Sequence, residues 1–324
     1  MYSFNESREI INDTISKINF DDDPAELFNP IKYTLSNGGK RLRPALVLMS
    51  CELFSGKIDE AIMPALGIEM FHNFTLLHDD IMDKSPIRRN KPTVYNKWND
   101  NIAILSGDVM SILSYKYITK CNKEILASVI DLFSQTAIMV CKGQQYDMNF
   151  EALQTVTVDE YLSMIELKTS VLIAASIKLG AILGGANQAD INHMYNFGKN
   201  LGMAFQIQDD LLDVYGDLKI FGKKPGGDII TNKKTYLLVK ALEIASSGQK
   251  VQIYNQLKKK SFNTDKKINA ILSIYNDLNI KDISEELINE YLGKSKNDLE
   301  KVSPDDFKKE QLKEVFEILL NRDK

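Results

Sequence analysis

The sequence is short of the residues that build disulfide scaffolds, linkers and sheets. It has three cysteines in 324 residues, Cys51, Cys121 and Cys141, an odd number with no metal-ligand spacing. All three lie in apolar, helix-like stretches, so buried free thiols and a reducing, cytoplasmic setting are expected. No Pro/Gly/Ser-rich linker and no compositional break divides the chain, which argues for one domain. Alternating apolar/polar runs bounded by hairpin turns are missing, which argues against a sheet protein. The formal net charge is only -4, with 26% charged residues, so nucleic acid is not the expected partner. The opening stretch, MYSFNESREIINDT, has no basic leader with an apolar core. We find no run of about 18 residues apolar enough to span a bilayer, so stable membrane insertion is not expected.

What the chain has is helical periodicity. PALGIEMFHNFTLLHDDIMD, EYLSMIELKTSVLIAASIKLGAILGG and MYNFGKNLGMAFQIQDDLLDVYG carry apolar residues at three- and four-residue intervals. KTYLLVKALEIASSG and the C-terminal DLEKVSPDDFKKEQLKEVFEILLNRDK continue the pattern. This predicts an all-α protein of about ten or more helices. Gly184 and Gly185 read as a helix stop, and Pro44 sits where a helix can begin. The stretch KSPIRRNKPT cannot be regular helix because of Pro86 and Pro92. The charged stretch at 258–267, KKKSFNTDKK, reads as a solvated connection between helices.

Two acidic clusters stand out, LLHDDIMD at 76–83 and FQIQDDLLD at 205–213. Residues four apart share a helix face, so Asp79 pairs with Asp83 and Asp209 with Asp213. One such cluster fits a solvated helix end. Two copies, each behind an apolar helix and before a basic loop, fit hard divalent cations, which take carboxylate, water and phosphate oxygens. Basic residues gather in GGKRLRP, RRNKP, FGKKPGG and NKK. Lys40 and Arg43 in the first of these form a cation site of their own, suited to direct phosphate binding. His72 lies seven residues before Asp79, near the same face and about 10 Å along the axis; it fits either helix packing or this site. One metal-bridged and one purely basic anion site require two phosphorylated substrates.

These motifs resemble those of the trans-type isoprenyl diphosphate synthases, the polyprenyl synthetase family. GGKRLRP, LLHDDIMD, IRRNKPT, LKTS, FQIQDDLLD, FGKKPGGDI and NKKTYLL occur in the family's order. The resemblance runs from about Glu26 to the terminal NRDK and implies a single domain over 1–324. The implied fold is an isoprenoid-synthase-type all-α bundle around a deep central cavity, with the acidic helices facing each other. The implied activity is head-to-tail, all-trans condensation of isopentenyl diphosphate with an allylic diphosphate, assisted by three Mg²⁺ ions, in a homodimer. By the resemblance Asp79, Asp83 and Asp209 would hold the ions, with Asp80, Asp210 and Asp213 supporting them. The allylic diphosphate would meet Arg88, Lys168, Lys223 and Lys233, with Thr169 and Gln206 around the reacting carbon. Isopentenyl diphosphate would sit on Lys40, Arg43, His72 and Arg89. Lys224 and Lys234 read as solvated neighbours, and Arg322 occupies a position that can approach the site in relatives.

Phe71 and Phe74, eight and five positions before Asp79, would block a chain growing down the helix. That predicts a fifteen- to twenty-carbon product, geranylgeranyl ahead of farnesyl diphosphate; simple packing of both rings is the alternative. Competing readings are a longer-chain polyprenyl diphosphate synthase, a class I terpene cyclase, and a non-catalytic subunit of a heteromeric synthase. A cyclase leaves GGKRLRP and Arg89 unexplained, and such subunits lose the site residues that this chain keeps. A squalene-synthase-like enzyme spaces its acidic motifs differently.

Overall fold

The computed structural model describes residues 1–216, 225–259, 261 and 263–320. It is all-α, as the periodicity predicts. The order is α1 (Phe4–Lys17), α2 (Ala25–Ser36), α3 (Leu42–Ser55) and α4 (Asp59–Met82), then a hairpin of β1 (Ile87–Arg88) and β2 (Lys91–Pro92). Next come α5 (Val94–Lys97), α6 (Asp100–Ile118), α7 (Leu126–Ala152) and α8 (Val158–Ile165). A π-helical turn, Glu166–Ser170, joins α8 to α9 (Val171–Leu183), and α10 (Gln188–Tyr215) follows. Further helices span Gly227–Thr231, Tyr236–Ile244, Ser247–Leu257, Thr264–Asp277, Ile280–Glu300 and Asp306–Leu320.

Local chemistry sets the ends of these helices. Ser3 and Glu6 form a reciprocal capping box on α1, and Thr157 and Glu160 do the same on α8, satisfying N–H groups that have no intrahelical acceptor. Asn99 caps α6 by accepting from the Ile102 N–H at 2.9 Å. After α9 the chain turns at Gly185, whose φ of 77° is the left-handed value a helix stop favours.

The chain divides into two compact units and passes between them several times, so no linker marks the boundary. The first takes Met1–Ser134, Ala175–Asn192 and Ser303–Leu312. The second takes Gln135–Ala174, His193–Val302 and the described residues from Lys313 on. In the first, α4 packs along α6, and Ile31, Leu35, Met70, Leu77 and Met110 are buried together. In the second, Ile165, Ile207, Leu211, Leu237, Ile271 and Ile288 form the centre of one apolar cluster.

Several sequence expectations are corrected. The run through ELKTS is not one continuous α-helix, because Val171 N–H bonds to the Glu166 carbonyl five residues back. The C-terminal run breaks between Glu300 and Asp306. Only Cys51 is buried, whereas Cys121 is half-buried and Cys141 exposed. Lys267 is not solvated: it is 1% exposed, and its Nζ donates to the Ile230 carbonyl at 3.1 Å and Asn232 Oδ1 at 2.5 Å. Finally, α7 is long and apolar enough to cross a membrane by length and composition, with 28% of its most apolar stretch buried. A single such helix is weak evidence for a membrane span, since mostly buried core helices of soluble proteins pass the same test.

Candidate active site

In the first unit the site begins with a residue turned inward. Arg41, at φ 49° ahead of α3, is buried. Its Nη1 donates to Glu69 Oε1 at 2.6 Å, its Nη2 to the Leu35 carbonyl at 2.6 Å, and its Nε to Asn12 Oδ1 at 3.3 Å. Asn73 Nδ2 donates to the same Glu69 oxygen at 2.8 Å. This network fastens the GGKRLRP segment to α1, α2 and α4, and so fixes the stretch that carries Lys40 and Arg43. Arg43 Nη1 donates to His72 Nε2 at 3.2 Å. Burial, then the positive charges of Arg43, Arg89, Arg88 and Arg41, push His72 well below the ordinary histidine range. His72 is therefore neutral near pH 7, with its proton on Nδ1 and Nε2 accepting.

The hairpin explains how two adjacent arginines serve different partners. Arg89 and Asn90 form its two-residue loop at φ 53° and 59°, the signs a type I′ turn demands. Arg88 Nε donates to Asp80 Oδ1 at 2.7 Å. Arg89 instead donates to the Gly38 carbonyl and lies against Gly39, where a Cβ would come within 2.7 Å of its guanidinium. Burial lowers the Arg89 pKa.

The first acidic trio faces two ways. Asp80 is 5% exposed, and its burial raises the carboxyl to about 6 against the pull of Arg88. Asp79 is half-buried and Asp83 exposed, and the Asp83 N–H closes the end of α4 on the Asp79 carbonyl at 2.8 Å. Phe71 and Phe74 lie further back on α4. Phe71 is buried, with its ring centroid 5.5 Å from Phe74 and 5.2 Å from Phe133. Phe74 is half-buried and sits 4.7 Å from the His78 ring.

The second unit repeats the pattern on α10. Asp210 is 3% exposed and accepts from the Tyr161 hydroxyl, from the Tyr236 N–H at 3.0 Å and from Gln206 Nε2 at 3.1 Å. Burial raises its pKa, and those three donors oppose the rise. Asp209 and Asp213 are half-buried. Asp213 Oδ2 accepts from the Asp228 N–H at 2.8 Å, and its carbonyl accepts from the Gly226 N–H at 2.6 Å. Burial lifts the Asp228 carboxyl to about 7; Lys233 opposes this, and Asp213, Asp210 and Asp209 add to it. Lys168 Nζ donates to Asp147 Oδ2 at 2.5 Å, and the Thr169 hydroxyl to Gln206 Oε1 at 2.9 Å. Lys223, and with it Lys224 and Arg322, lies outside the described residues.

The outer aspartates offer hard oxygen donors of the kind Mg²⁺ prefers. Among the described residues no three His, Cys, Asp or Glu side chains converge to hold an ion unaided. That donor set suits a cation which keeps several waters and takes its other ligands from phosphate. Sequence reasoning missed Arg41, Glu69, Asp147, Tyr161 and Asp228. Asp147 had a signal, being four residues after Gly143 in a long apolar helix; Tyr161 had none.

The fold and these acidic and basic segments define a helical diphosphate-handling protein. The chain matches the polyprenyl synthetase family model over residues 24–275 and belongs to that family. It is 39% identical over 262 residues to the geranylgeranyl diphosphate synthase of Sulfolobus acidocaldarius, covering 80% of this chain and 79% of that one. It superposes on a crystal structure of a geranylgeranyl pyrophosphate synthase with a TM-score of 0.94 at 38% identity, covering 100% of both chains. The geranylgeranyl pyrophosphate synthase of Corynebacterium glutamicum, solved with isoprenyl diphosphate and magnesium, shares the fold at a TM-score of 0.89 and 24% identity, over 99% of this chain and 100% of that one.

The buried Arg41–Glu69 pair generates a stability prediction. Glu69→Ala strands a guanidinium in a site with 2% side-chain exposure. The expected loss is about 3–5 kcal/mol, measured as a lower urea midpoint in equilibrium unfolding.

Proposed function

We propose that the protein joins isopentenyl diphosphate to an allylic diphosphate, head to tail and all-trans, with geranylgeranyl diphosphate as the main product and farnesyl diphosphate next. The observation that carries this reading is the coexistence of two carboxylate sets at helical spacing with a separate arginine- and lysine-rich segment anchored by Arg41. The names of the relatives support the same reading.

Asp79, Asp83 and Asp209 are the proposed ligands of Mg²⁺, three ions per site, with Asp80, Asp210 and Asp213 holding the geometry around them. When bound, Mg²⁺ draws off charge that builds on the leaving diphosphate. Arg88, Lys168, Lys233 and Lys223 add cationic donors to that group. The allylic C–O bond breaks and its electron pair stays on the diphosphate oxygen. The Thr169 proton is committed to Gln206, and the Gln206 amide is turned by Asp210, so Thr169 presents oxygen lone pairs to the cationic carbon. The Lys168 carbonyl offers partial negative charge as well. Lys40, Arg43, His72 and Arg89 hold isopentenyl diphosphate, whose double bond attacks the allylic carbon. The proton lost afterwards goes to the released diphosphate. Holding both reactants in contact supplies several kcal/mol of the acceleration.

A cytoplasmic homodimer is part of the proposal. Ile104, Leu105 and Ile112 on α6 are 42%, 58% and 68% exposed, and Ile138, Tyr146 and Met148 on α7 are 50%, 48% and 41% exposed. Exposed apolar side chains spaced along two long helices favour burial by a second copy over open solvent. Sedimentation velocity is expected to give twice the 36.7 kDa chain mass; a monomer at micromolar concentration refutes the dimer.

Incubation with isopentenyl diphosphate, each allylic starter and Mg²⁺, followed by product chromatography, tests the reaction itself. A hydrocarbon from geranylgeranyl diphosphate alone would mark a cyclase instead. In this assay Asp79→Ala should lower turnover by about a hundred- to a thousandfold, the scale of losing one preorganised electrostatic group, with an unchanged circular dichroism spectrum. Phe74→Ala should shift the product to longer chains; an unchanged length distribution removes Phe74 as the gate.

A further inference from the structure

The π-helical turn Glu166–Ser170 is a local anomaly in an otherwise regular run, and its seating is specific. It presses against bare backbone on two sides. A Cβ built on Gly143 of α7 would lie 2.6 Å from Lys168 Cα, and closer still to the Lys168 nitrogen. A Cβ built on Gly202 of α10 would lie 2.6 Å from Ser170 Cα and 2.8 Å from its Oγ. Carbon atoms in ordinary contact sit about 3.5–4.0 Å apart, so neither position accepts a methyl group without moving the turn.

Each glycine has a polar handle one helical turn further on. Asp147 follows Gly143 by four residues and holds the Lys168 ammonium at 2.5 Å. Gln206 follows Gly202 by four residues and holds the Thr169 hydroxyl at 2.9 Å. The Ser170 hydroxyl completes the seat by donating to the Lys199 carbonyl of α10 at 2.5 Å. A π turn carries one residue more than the helix around it, which reorients the side chains it bears. Here these are Lys168 and Thr169, and both are caught where the two handles wait.

We propose that Gly143 and Gly202 are positioning residues for the transfer reaction: their missing side chains let the π turn seat between α7 and α10, and this sets the Lys168 ammonium and the Thr169 hydroxyl. A methyl at either position moves the turn by about 1 Å, a displacement that can cost about a hundredfold in rate. The kinetic consequence rests on the prenyl-transfer reading; the structural one does not.

The test compares Gly143→Ala and Gly202→Ala with Gly184→Ala. A Cβ at Gly184 meets the Cys51 carbonyl at 2.6 Å, a clash as close as that at Gly202, at the end of α3 away from Arg43 and remote from the π turn. Amide hydrogen exchange without substrates should quicken across 166–170 in the first two variants and stay unchanged there in the third. With both diphosphates and Mg²⁺, the first two should lose about a hundredfold in kcat/KM for the allylic substrate. The isopentenyl diphosphate KM should stay within about twofold, since uniform binding on that side is untouched. If the glycine variants do not fold, Asp147→Asn keeps the side-chain volume and should show the same substrate asymmetry at unchanged melting temperature. Equal exchange in all three variants, or a rise in the isopentenyl diphosphate KM as large as the rise in the allylic KM, overturns the proposal. Failure of the wild-type protein to condense the substrates overturns the prenyl-transfer reading alone, because the exchange comparison still stands.

Discussion

Two carboxylates one helical turn apart repel, and this chain accepts that repulsion in each of its compact units. The arrangement works because the middle aspartate of each trio is withdrawn from the conflict. Asp80 turns inward to Arg88, and Asp210 to Tyr161, Gln206 and the Tyr236 N–H. Buried carboxylates left unpaired would protonate; paired in this way they become fasteners. Asp80 ties the end of α4 to the hairpin, and Asp210 ties α10 to α8 and to the helix Tyr236–Ile244. The outer aspartates are left one helical turn apart on the same face, a spacing that would suit a hard cation.

The positive side follows the same logic. Arg41 contributes nothing directly to an anion, since Glu69, Asn12 and the Leu35 carbonyl take its donors. Its role is to make the neighbouring backbone rigid, so that ligand binding does not have to order it. A protonated His72 among four arginines would add a fifth like charge. Neutral, it instead accepts from Arg43 and aims that guanidinium. Arg89 shows the cost of the geometry: a non-glycine residue held at φ 53° because the two-residue loop of the hairpin requires it.

What could be read from the sequence follows from what has a period. The acidic pairs, the apolar faces of α4 and α10, and the stop at Gly184 and Gly185 all repeat at helical spacing or interrupt it. The basic segments were visible because charges of one sign cluster beside glycine and proline. Tyr161 and Asp228 were not visible, because each is a single polar residue whose partner is distant in sequence, and Asp147 showed only its four-residue spacing from Gly143. Lys267 looked like part of a solvated run and is instead enclosed by the Ile230 carbonyl and Asn232, a tertiary contact that charge patterning cannot report. The π turn was hidden for a different reason. One extra residue in a helix barely disturbs an apolar pattern, whereas the glycines facing it, which do mark it, lie on α7 and α10.

The helix that sets the aspartates also sets a depth scale. Phe74 is five residues before Asp79 and Phe71 eight, about 7.5 and 12 Å along the axis. Both rings pack, which was the alternative to a gate, but they pack differently. Phe71 is 2% exposed and lies edge-on to Phe133, which in turn meets Tyr115 at 4.8 Å. Phe74 is half-buried, with His78 on one side and Phe71 on the other. A ring with solvent on one flank can turn, but it cannot retreat into a buried neighbour already packed against Phe133. Packing of Phe71 is therefore what would make Phe74 effective as a stop, and the two roles are complementary.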